Sequence, residues 1–295
     1  MKGGLAGRRD SMPKVLVLAV LMTALGFGQA PELVRARELY QRTSYEEALG
    51  WLAGMSRQTA SGYILIGKCQ YMKGEFKKAS EALEQAVGLA PASSEAYLWL
   101  GRAYGRRAET ASIFTAPGLA TKARASFEKA VALEPRNTEA VSDLFEYYLE
   151  APGLLGGGME RAQALAEKTK EADSADYHYR LALIADKRKE YRDAEQQLRR
   201  SVDLAPREVG RFIELAKFLA KSGQFEKSDA AFHQAEQMAP KDPKVMFERA
   251  KAYIRAKRNL AVARELLVRY LSTPLTPDDP PRSEAEGLLR EAGSG

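Results

Sequence analysis

Residues 74–91 read GEFKKASEALEQAVGLAP. The same frame returns without gaps as GLATKARASFEKAVALEP at 118–135, KEYRDAEQQLRRSVDLAP at 189–206 and GQFEKSDAAFHQAEQMAP at 223–240. Each copy carries a small residue at one place: Ala79, Ala123, Ala194 and Ser228. A large apolar residue stands four later: Leu83, Phe127, Leu198 and Phe232. A small residue follows three further on: Ala86, Ala130, Ser201 and Ala235. Steps of three and four place these side chains on one face of a helix. The closing proline stops that helix, because it has no N–H for the backbone ladder.

Working outward, a second helical pattern precedes the copies. It shows Tyr63, Ile66 and Gly67, then Tyr97, Leu100, Gly101 and Tyr104, then Phe212, Leu215 and Ala216. A small residue beside a large one lets a neighbouring helix come close. Gly74 and Gly223 suit a tight turn between the two helices.

This pattern resembles the tetratricopeptide repeat, whose period is 34 residues; 209–242 supplies one uninterrupted unit of that length. The resemblance covers roughly 31–275 and implies an all-α fold. The expected architecture is a right-handed superhelical α-solenoid of about six to seven helix-turn-helix repeats. A degenerate first unit spans 31–58, followed by units near 60–93, 94–137, 138–174, 175–208, 209–242 and 243–275. Residues 276–295 form a capping segment, with a helix expected to start at Asp279-Pro280. Two units carry insertions, near 109–118 and 151–158, and both contain Ala-Pro-Gly-Leu. Their matching positions place them on one edge, where they are expected to touch. Phe114, Pro117, Pro152 and Leu155 mark that edge as a candidate binding surface.

The N-terminus reads differently. Residues 15–27, VLVLAVLMTALGF, form a short uncharged run after basic residues and before small ones. That is the layout of a secretory signal peptide, so 1–28 is expected to be cleaved or to remain as an anchor. An exported, periplasmic or secreted location follows as an expectation, with the solenoid over 29–275. The run is shorter than the roughly 20 residues of an ordinary transmembrane helix.

Composition narrows the chemistry. The chain has 295 residues, 45% apolar and 28% charged, with one Cys and two His. No disulfide framework or Cys/His zinc site can be built from that set. The formal charge is +6, and about half of it lies in the first 28 residues, so no nucleic-acid partner is expected. No nucleophile–base pair, metal set or nucleotide loop is legible, so neither enzymatic activity nor a cofactor is expected. His178 reads as packed, His233 as surface and Cys69 as a buried thiol. Gly156-Gly157-Gly158 before a helix could form an anion nest, although the glycine run more simply makes a turn.

The resemblance also implies that the first helices line a concave groove. Their non-core positions offer Ile64, Lys68, Tyr71, Leu98, Arg102 and Arg106 early in the chain. Glu146, Tyr179, Leu183 and Asp186 follow in the middle, and Ile213, Lys217, Lys221, Phe247, Lys251 and Arg255 late. The expected groove runs basic, acidic, basic, with interspersed apolar side chains. It suits a protein or peptide partner, held by apolar anchors and registered by charge. The alternative is a small-molecule or glycan pocket beside the insertions, walled by Tyr71, Tyr104, Phe114, Tyr147 and Tyr148.

Overall fold

The computed structural model describes residues 30–293. The apolar run at 15–27 and its cleavage lie outside the described residues. Within them the chain is helical, with no strand. The helices fall in pairs: α1 (Pro31–Gln41) with α2 (Tyr45–Ala53), α3 (Ala60–Met72) with α4 (Phe76–Leu89), and α5 (Ser94–Thr110) with α6 (Ala116–Leu133). Next come α7 (Thr138–Glu150) with α8 (Met159–Thr169), α9 (Ser174–Lys187) with α10 (Tyr191–Leu204), and α11 (Val209–Lys221) with α12 (Phe225–Met238). The last pair is α13 (Pro243–Arg255) with α14 (Leu260–Ser272), and α15 (Arg282–Gly293) closes the array. Each helix packs on its chain neighbours, which makes the array a solenoid.

The helix starts follow from capping. Thr59, Ser93, Asn137, Asp173 and Asp242 each accept a bond from a first-turn amide. Such caps satisfy amides that have no partner within the helix.

Close approach within a pair rests on the small–large alternation. A Cβ on Gly67 would sit 2.4 Å from Leu83 Cγ, and one on Gly101 would sit 2.5 Å from Phe127 Cε1. Where the small residue is serine, its hydroxyl is buried but satisfied. Ser228 Oγ donates to the Ala216 carbonyl at 2.8 Å, and Ser201 Oγ to that of Ala175 at 2.7 Å.

The turn between paired helices needs one left-handed residue. Gly74 (φ +78°) and Gly223 (φ +79°) occupy it, as do Thr43, Lys189 and Lys257 in other units. A Cβ on Gly223 would meet nothing within 4 Å, so substitution there costs conformation alone. Gly223→Val is therefore expected to destabilise the protein by about 1–2 kcal/mol. A melting temperature unchanged within a degree would refute that account.

Two expectations need correction. The first insertion is half helix, because α5 and α6 extend into it and leave only 111–115 as a connection. Pro117 permits this, because it sits in the first turn, where its missing N–H costs nothing. The glycine run makes the turn expected of it and forms no anion nest. The Gly156, Gly157 and Gly158 amides donate to the carbonyls of Gly153, Pro152 and Tyr148. The last helix starts at Arg282, not at Asp279. Asp279 instead accepts from the Thr276 amide and hydroxyl at 2.8 and 2.9 Å, which closes the preceding turn.

Candidate partner-binding face

First helices of consecutive units touch directly at α3–α5, α5–α7 and α11–α13. That contact removes four residues from the expected groove. Ile64, Leu98, Ile213 and Phe247 lie in the core, and Phe247 is only 1% exposed. Phe247 packs on the Tyr270 ring with centroids 5.3 Å apart. Helical spacing had aimed these side chains at solvent, but neighbouring helices cover them, α14 in the case of Phe247.

The late units form a recess. A cavity of about 490 Å³ opens between α9, α11 and α13, and it brings together seven expected groove residues: Tyr179, Leu183, Asp186, Lys217, Lys221, Lys251 and Arg255. Its floor includes Ala182, Leu183, Phe218 and Ala252. Lys217 Nζ donates to Glu214 at 2.9 Å. Lys221 donates to Asp186 of α9 at 2.6 Å, and Lys251 to Glu284 of α15 at 2.7 Å. Arg255 has no ion-pair or hydrogen-bond partner among the described residues.

The acidic residues Glu214 and Glu248 were missed as groove residues. Their signal is legible afterwards: Glu214/Glu248, Lys217/Lys251 and Lys221/Arg255 each recur at the repeat period. Charges one period apart fall on adjacent first helices.

The early candidates lie elsewhere and are also paired. Lys68 bonds Glu95 on the next first helix. Arg102 bridges to Asp143 at 2.5 Å and Glu139 at 3.0 Å, with its guanidinium 4.7 Å from the Trp99 ring centroid. Arg106 pairs with Glu109 on its own helix. Tyr71 packs edge-on against Phe76 and Trp99. The expected basic and acidic bands are thus cross-linked, cation to carboxylate, from one first helix to the next. Glu146 makes no ion pair or hydrogen bond among the described residues. Partial desolvation, with Asp143, Glu150 and Glu214 nearby, raises its carboxyl above the usual range. Burial, then Glu214 and Glu146, likewise raises the Tyr179 hydroxyl.

At the insertion edge Phe114 is 87% exposed, Pro117 and Pro152 are exposed, and Leu155 is half-buried. The second insertion seats on α6, where the Arg124 guanidinium fills the space beside Gly156. The aromatic side chains expected to wall a pocket there, Phe114 apart, are committed to packing. Tyr147 donates to the Leu155 carbonyl at 2.9 Å, Tyr148 to Glu128 at 2.9 Å and Tyr104 to Glu84 at 2.6 Å.

Cys69 is fully buried, and burial pushes its thiol up to about 12. His178 is half-buried with Nδ1 2.6 Å from Gln197 Oε1; Tyr177 takes the buried position. His233 is exposed and meets Gln237 at 2.9 Å. No helix of the described residues is long and apolar enough to cross a membrane.

Sequence profiles of the tetratricopeptide repeat match residues 66–137, 175–208 and 213–280, more than half of the chain. The chain belongs to the tetratricopeptide-repeat family. Among solved structures it is similar to a tetratricopeptide-repeat protein from Parabacteroides merdae, at 13% identity over 89% of this chain and 97% of that one, with a TM-score of 0.56. It is also similar to a thermophilic repeat protein of Thermus thermophilus, at 19% identity over 64% of this chain and 97% of that one, with a TM-score of 0.51. Comparison with curated proteins gives no significant match. Proteins of this family generally mediate protein–protein interactions, and the fold is typically a non-enzymatic scaffold.

Proposed function

We propose that the protein is a non-enzymatic scaffold of the bacterial cell envelope that holds a partner peptide or helix against its first-helix face. The recess between α9, α11 and α13 carries this reading. It joins an apolar floor to a charged rim and is open to solvent, as side-chain docking requires. A rigid repeat array holds several such contacts in place at once, which lowers the ordering cost of binding. The envelope location rests on the signal-like layout of 1–28, and the partner-binding role on the family.

The test is capture from envelope extract by the full chain and by a variant with Lys217, Lys221, Lys251 and Arg255 reversed to Glu. A partner enriched on the wild type and lost on the variant supports the reading. Equal capture at low salt excludes this stretch as the binding surface.

A further inference from the structure

Resting on that reading, we infer that the recess selects a peptide segment presenting one bulky apolar side chain with a carboxylate side chain beside it. The apolar requirement comes from the floor. Ala252 stands one period after Phe218, so α13 is small where α11 is bulky. The cavity of about 490 Å³ next to that alanine has room for an aromatic or branched aliphatic group.

The carboxylate requirement comes from the bonding of the rim. Lys217, Lys221 and Lys251 are each neutralised by a carboxylate of this chain. Only Arg255 among the rim cations lacks a partner among the described residues, and it borders the same cavity as Ala252. Its planar guanidinium suits a carboxylate held by two parallel bonds. A cation on the peptide would find the carboxylates that line this cavity, Asp186, Glu214 and Glu248, already engaged with lysines. The discriminating charge is therefore one arginine rather than the whole basic stretch.

The experiment uses the full chain and three fluorescent ten-residue peptides on a Gly/Ser background. One carries Phe followed by Glu, one Phe followed by Lys, and one Glu with no aromatic residue. Fluorescence anisotropy should show the Phe-Glu peptide binding at least about tenfold more tightly than the other two. R255E should remove that advantage. A252F, which fills the floor without changing charge, should weaken binding at least about tenfold. K221A should weaken binding less than R255E does, because Lys221 is already committed to Asp186. Circular dichroism confirms that each variant is folded.

Preference for the Phe-Lys peptide, or Phe-Glu binding unchanged in R255E or A252F, overturns the inference. If R255E binds normally but the fourfold charge reversal does not, the groove reading survives and the inference falls. If no peptide binds while dodecanoate does, both fall in favour of a small amphipathic ligand.

Discussion

Replacing Phe232 with alanine is expected to cost about 3–5 kcal/mol. Phe232 lies on α12 and is fully buried. It shares a cluster with Ile213, Leu215 and Ala216 of α11, and with Val245 of α13. Truncation removes the apolar contacts of a whole ring and leaves a void that close-packed helices refill only in part. A repeat array gives this loss a local character, because each unit rests mainly on its neighbours. Hydrogen exchange should therefore speed up first in α11 to α13, with α3 to α5 less affected. The check is chemical denaturation followed by far-ultraviolet circular dichroism, read beside the exchange data. A loss below about 1 kcal/mol, or a uniform rise in exchange along the chain, would contradict this account.

The second large effect is an asymmetry within one ion pair. Arg180 is 2% exposed, unusual for an arginine. It pairs with Asp176 one turn earlier, donates to Thr169 Oγ1 at 2.6 Å and lies 5.7 Å from the Phe145 ring centroid. Burial pulls the guanidinium below its ordinary pKa, and Asp176 opposes that shift. Asp176→Ala strands a buried cation and is expected to cost about 3–5 kcal/mol. Arg180→Met should cost much less. It removes the buried charge and keeps an apolar stem, while Asp176 retains Arg211 at 3.4 Å. Urea denaturation of the two variants decides the matter. A costlier Arg180→Met would mean the arginine contributes more through its own bonds than the pair costs in desolvation.

Most of the array could be read from the sequence. The alternation of Gly67 with Leu83 and of Gly101 with Phe127 is visible as letters, because helix periodicity is local and repeats unit by unit. The left-handed turns at Gly74 and Gly223 were visible for the same reason. The equivalent turns at Lys189 and Lys257 were not, since neither residue advertises a positive φ. How the insertion at 109–118 divides between helix and connection was not legible, because extra residues look alike whether they form a loop or lengthen two helices.

The sequence by itself determined the repeat, the helix pairs and which charged residues lie on the first helices. Only the tertiary structure decided which of those residues face solvent. Phe247 is covered by packing on Tyr270 of its paired helix, and Lys217, Lys221 and Lys251 are joined to carboxylates, whereas Arg255 has no such partner among the described residues. The physical reason is range. Helix spacing orients a side chain about its own axis, but its exposure and its ion-pair partner depend on the distance to the next helix, which one unit's sequence does not encode.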